Sequence, residues 1–120
     1  MIQLKRAYEQ AGREDGLRYL VDRIWPRGVK KDALRLDGWA KEAAPSTALR
    51  RWFGHDAKKW EKFKRRYWKE LEAHPEALDA LRAAARKGKL TLVYSAHDAE
   101  HNNAIALKEY LERKGAHQRR

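Results

Sequence analysis

The residues best equipped for chemistry fall in two short blocks. The first is Asp22-Arg23-Ile24-Trp25-Pro26-Arg27-Gly28, which closes an apolar run beginning at Leu17. The second is Ser95-Ala96-His97-Asp98-Ala99-Glu100-His101-Asn102-Asn103, which follows the run Leu90 to Tyr94. Arginine presents a planar fork of donors that matches a carboxylate or phosphate. Arg23 and Arg27 beside one strand end would form an anion clamp, with Gly28 letting a ligand approach the backbone. Asp22, Ser95 and His101 are the groups that could move a proton, orient a substrate or, for Ser95, act as a nucleophile. Asp98 and Asn102 stand at the expected start of a helix, whose free N–H groups attract an anion.

Each feature also has a structural reading. Asp22 can simply pair with Arg23 or Arg27, and Asp98 reads first as an N-cap. Asn102 and Asn103 can serve the backbone around a helix start. His97 and His101 stand four apart around Asp98, but they lack the mid-helix setting and third ligand of a zinc site, so no metal is expected. His55, His74 and His117 receive no role.

These blocks need elements to hold them. Ile2, Leu4 and Tyr8 alternate with polar residues, which reads as a first strand, and Leu17 to Ile24 as a second. Trp39 to Ala44 suits a short helical turn. Ser46 can cap a helix ending at Gly54, and Asp56 a longer one over about 57–73. In that longer helix Trp60, Phe63, Tyr67 and Leu71 make one apolar stripe. Pro75 opens a further helix that Gly88 closes. Leu90 to Ala96 forms the third strand, and a last helix runs over about 99–114. The expectation is therefore an α/β domain with a small, mainly parallel sheet of about three strands and four to five helices, in the order β-β-α-α-α-β-α. One domain spans 1–115, with a disordered basic tail at 116–120.

Composition sets the outer limits. The 120 residues carry 28 Lys and Arg against 17 Asp and Glu, a net charge of +11. That field attracts anionic small molecules and polyanions alike. The excess is spread out, at +4 over residues 1–50, +5 over 51–88 and +2 over 89–120. Lys58, Lys59, Lys62, Lys64, Arg65, Arg66 and Lys69 crowd the long helix, yet most aromatics between them belong to its buried stripe. With no cysteine, disulfide scaffolds, thiolate zinc sites and cysteine nucleophiles are excluded. There is no secretion signal and no bilayer-length apolar run, so the expected location is cytoplasmic, without membrane association. No cofactor is indicated, because no Gly-rich phosphate loop is present.

Further blocks join the first two. Ala44-Pro45-Ser46-Thr47, Leu49-Arg50-Arg51-Trp52-Phe53-Gly54-His55 and Glu100-His101-Asn102-Asn103-Ala104 accompany the Asp22 block and the Tyr94-Ser95-Ala96 strand end. Together they resemble the domain-of-unknown-function family 488, and within it the short YeaO-like branch. The resemblance covers nearly the whole chain and implies an α/β domain of unassigned activity. Longer relatives carry an Asp-Val-Arg-x-x-Pro block, which Asp22, Arg23, Pro26 and Arg27 match. They also carry a Cys-His-Arg block, at which His101 and Asn102 fall. The absent cysteine and the asparagine at that second block depart from the longer pattern.

The functional expectation is an anion-binding cleft at the C-terminal strand ends, serving a hydrolase or transferase that acts on an anionic, nucleotide-like metabolite. The alternatives are a basic nucleic-acid-binding module, or a partner-binding adaptor built on Trp25, Trp39 and Trp52.

Overall fold

The computed structural model describes residues 1–118. Four parallel strands, β1 (Ile2–Arg6), β2 (Leu17–Leu20), β3 (Gly38–Trp39) and β4 (Leu90–Tyr94), lie in the order β1-β4-β2-β3. The α/β class and the parallel sheet are as expected, and the strand count rises from three to four. The addition is β3, two residues that pair with Tyr19 and Leu20. β4 is central and wholly buried, with β1 on one side and β2 on the other. All four strands therefore deliver their C-terminal ends to one edge of the sheet. Arg6 pairs with Tyr94 and Leu20 with Val93, so the exits of β1, β4 and β2 sit side by side there.

Alternation along β4 sends Leu90, Leu92 and Tyr94 to one face and Val93 to the other. The first face carries the main core, built with α2 (Thr47–Phe53), α3 (Trp60–Ala73), α4 (Asp79–Lys87) and α5 (Asn103–Gln118). The predicted stripe is its centre: Phe63, Tyr67 and Leu71 are buried, and Phe63 stacks on Phe53 with ring centroids 4.4 Å apart. The Tyr67 hydroxyl donates to the Ala43 carbonyl, and burial pushes its pKa up. The opposite face is thinner. There α1 (Lys31–Leu34) and the segment from Trp25 to Val29 cover Leu20 and Val93 with Leu34, Trp25 and Val29. A buried polar group anchors that face. Asp15 accepts from Arg18 at 2.7 Å and Lys5 at 3.1 Å, and Arg18 also donates twice to the Leu34 carbonyl.

Local signals explain most boundaries. Ser46 caps α2, its Oγ accepting from Leu49 N, and Gly54 ends the helix in the left-handed region at φ 52°. Ser46 also donates from N and Oγ to Glu70, which fastens α2 to α3. Asp56 caps a 3-10 turn over Ala57–Lys59 that leads into α3, and Pro75 opens a second turn that leads into α4. The last helix differs from expectation. It begins at Asn103 rather than near 99, because Asn102 and not Asp98 is its cap: Asn102 Oδ1 accepts from Ile105 N at 2.9 Å. The expected tail at 116–120 overlaps the end of α5, and residues 119–120 lie outside the described residues. Among the described residues no helix is long and apolar enough to cross a membrane.

Candidate functional site

The two sequence blocks meet. Asp22, just past β2, and Ser95, just past β4, are bonded directly: Asp22 Oδ2 accepts from Ser95 N at 2.9 Å and from Ser95 Oγ at 2.6 Å. Asn103, in the first turn of α5, donates from Nδ2 to Asp22 Oδ1 at 3.1 Å and to the Val21 carbonyl at 2.9 Å. One carboxylate thus clasps the ends of two neighbouring strands to the start of the last helix. The Asp22 carbonyl is also taken, by Trp39 Nε1 at 2.6 Å.

A cleft opens on either side of this clasp, at the C-terminal edge where parallel sheets bind ligands. One compartment, of about 460 Å³, has Pro45, Phe53, Phe63 and Ala96 among its apolar lining, and Arg23, Arg50, Arg51, His55 and His101 among its polar lining. The other, also about 460 Å³, lies toward Arg6, Tyr8, Trp25, Pro26 and Arg27. Asp22, Arg50, Ser95 and His97 line both, so Arg50 stands at the saddle between them.

The predicted residues divide between the cleft and its supports. Arg23 lines the first compartment, but its fork is engaged: Nε donates to the Pro45 carbonyl and Nη2 to that of Ala44, each at 3.1 Å. Its Nη1 lies 3.6 Å from Glu42. Arg23 is therefore a brace for the loop entering α2. Arg27 is exposed on the second compartment, and its carbonyl accepts from Tyr8 Oη at 3.2 Å. Gly28 adopts φ 77° beside it, in an open turn. Arg23 and Arg27 thus face different compartments.

The helix start is also engaged internally. Asp98 Oδ1 accepts from Glu100 N at 2.8 Å and from His101 N at 3.0 Å, so two amides expected to meet a ligand already hold a carboxylate. The Glu100 amide, followed by the His101 side chain at 3.0 Å from Oδ2, holds the Asp98 carboxyl below its ordinary 3.8. His101 packs edge-on against Trp60, with centroids 5.4 Å apart. Asn102 is buried, and its Nδ2 donates to the Asp98 carbonyl. Nor do the tryptophans gather into one patch. Trp25 and Trp39 meet edge to face at 5.6 Å, whereas Trp52 lies under Lys59 and Arg66.

Sequence reading missed Arg50 and Arg51. Both belong to the seven-residue α2, which the crossover lays along the wall of the cleft. Neither makes an ion pair with a described residue. His55, given no role, lines the same compartment and holds φ 60° just beyond the Gly54 stop. Arg6 was also overlooked. It donates to the carbonyls of Ala96 and Ser95 and reaches His97 Nδ1 at 3.4 Å, fixing the β4 exit. No group of three or more His, Asp or Glu among the described residues is placed to hold a metal ion.

Fold and site together define a small parallel α/β domain with a cationic cleft at the strand exits, its ends tied by an Asp-Ser-Asn clasp. The chain belongs to the DUF488-N3i family, described as the inactive DUF488-N3 subclade, whose model matches residues 1–120. This agrees with the resemblance to family 488. Uncharacterized protein YeaO of Escherichia coli K12 is 44% identical over 110 residues, covering 92% of this chain and 96% of that protein. Uncharacterized protein Rv3073c of Mycobacterium tuberculosis H37Rv is 36% identical over 110 residues, 92% of each chain. No solved structure matches.

Proposed function

We propose that this chain binds an anionic small molecule, carrying a phosphate or carboxylate, in the cleft at the sheet's C-terminal edge, and that it binds without turnover. One observation carries the reading. Arg50 and Arg51, adjacent on α2, line the first compartment with no acidic partner among the described residues. A guanidinium lacking a carboxylate and facing a concave, partly apolar site has its strongest partner in an external anion. The net charge of +11 would speed the encounter.

Binding is favoured over catalysis by how the reactive groups are spent. Ser95 Oγ donates to Asp22, which is itself the clasp of the fold, and no imidazole is hydrogen-bonded to Ser95 Oγ among the described residues. The Nδ1 of His101 is held by Asp98. The description of the family as inactive accords with this.

The test is a titration with inorganic phosphate at low salt, followed by amide chemical shifts. Arg50→Gln/Arg51→Gln should weaken binding at least tenfold, a loss of about 1.4 kcal/mol. Lys62→Gln/Lys69→Gln removes the same charge from the exposed face of α3, outside the cleft, and should leave binding within about twofold. Equal losses in both variants would mean that net charge alone attracts phosphate, and would overturn the site. Release of p-nitrophenol from p-nitrophenyl phosphate that Ser95→Ala abolishes would overturn the claim of no turnover.

A further inference from the structure

We infer that the cleft is built for a ligand with two linked anionic groups, one in each compartment, and not for a single anion; this rests on the anion-binding reading above. The two compartments are of equal volume, about 460 Å³ each, and share the Asp22–Ser95 clasp as a common wall. Each has its own cation without an acidic partner among the described residues: Arg51 on the first side and Arg27 on the second. Arg50 lines both and can reach toward either group.

The saddle favours a single central anion less than the two sides do, because Asp22 there offsets Arg50. Asp22 is the one acid lining either compartment among the described residues, and it lies on the wall they share. Its charge is partly met by Ser95 N–H, Ser95 O–H and the Asn103 amide, which keeps the carboxylate in place without cancelling it. Directly above it, the repulsion of Asp22 offsets the attraction of Arg50, whereas anions to either side gain Arg51 or Arg27 as well. A chain of linked phosphates, or a molecule bearing two phosphates or carboxylates joined by a spacer, satisfies both sides at once. Linking makes the second contact intramolecular, so affinity rises without any new kind of interaction. The apolar floor of the first compartment, Phe53 and Phe63, adds room there for an uncharged body on that end of the ligand.

The experiment is a calorimetric series with orthophosphate, pyrophosphate and tripolyphosphate at fixed ionic strength, on the wild-type chain, Arg27→Gln and Lys62→Gln. The readout is the ratio of tripolyphosphate to orthophosphate affinity, which removes effects common to every anion. The expected wild-type ratio is at least tenfold. Arg27→Gln should bring it below about threefold, and Lys62→Gln, an equal loss of charge outside the cleft, should preserve it. A wild-type ratio near one, with orthophosphate still bound, overturns the two-headed ligand and leaves the single-anion site standing. Equal falls in both variants also overturn it, because the gain then reflects net charge. Failure of orthophosphate to bind at all overturns the anion-binding reading itself.

Discussion

Replacing Asp22 by alanine should unfold this protein more readily by about 3 kcal/mol, because the carboxylate is a fastening before it is anything else. It accepts three hydrogen bonds, two from Ser95 and one from Asn103, and joins residues 73 and 81 positions apart in sequence. A hydrogen bond to a charged group contributes about 1.5–3 kcal/mol, toward the lower end for partly buried partners such as these. Asn103 keeps its second acceptor, the Val21 carbonyl, so its loss is small. Two bonds at the lower limit give about 3 kcal/mol, against a total of roughly 5–15 kcal/mol for a domain of this kind. Asp22→Asn should cost less, roughly 2 kcal/mol, since one oxygen still accepts. Urea unfolding followed by circular dichroism is the assay, with the m-value unchanged and the midpoint lowered. In the same variants thermal midpoints should fall by roughly 4 °C per kcal/mol. If Asp22→Ala unfolds at the wild-type urea midpoint, the clasp is not structural, and Asp22 becomes a free carboxylate available for chemistry.

Two further predictions concern the rest of the fold. Asp15→Asn should destabilise by about 3 kcal/mol, read by urea unfolding, because it removes the counter-charge of the buried Arg18 and of Lys5. Burial alone would raise the Asp15 carboxyl; the Gly12 amide, Lys5 and Arg18 outweigh it and leave the pKa below its ordinary 3.8. A depressed folded-state pKa means that this contribution is complete above about pH 4 and is lost as pH falls through the lowered value, so Asp15→Asn should flatten the acid limb of the stability curve. Gly16→Ala should prevent stable folding at 37 °C, since φ is 66° and a Cβ there would stand 2.3 Å from the Lys89 carbonyl oxygen, a clash with backbone at the β2–β4 junction. Soluble, cooperatively melting Gly16→Ala protein would contradict that geometry.

Particular residues show what was readable from sequence. The stripe Trp60, Phe63, Tyr67 and Leu71, the starts Ser46 and Pro75 and the stops Gly54 and Gly88 act through local periodicity and backbone chemistry, so they located the elements built on them. The meeting of Asp22 with Ser95 followed from placing two parallel strands side by side. Gly38–Trp39 escaped notice because two residues carry no periodicity; the strand exists only because Tyr19 and Leu20 offer it a partner. Asp98 and Asn102 are both good caps four residues apart, and tertiary packing decided for Asn102, whose buried side chain hydrogen-bonds Tyr94. Arg23 and Arg50 look alike as letters. One is exhausted by the carbonyls of Ala44 and Pro45, and the other is left facing the cleft, a distinction set by where the long crossover returns to the sheet.

The most direct measurement is a crystal structure grown with sulfate or tungstate at low ionic strength. The account predicts density for a tetrahedral anion in the compartment lined by Arg50, Arg51 and His101, with at least one of the two guanidiniums donating to it. An empty cleft in such a crystal, with anions held only at the exposed lysines of α3, would contradict it.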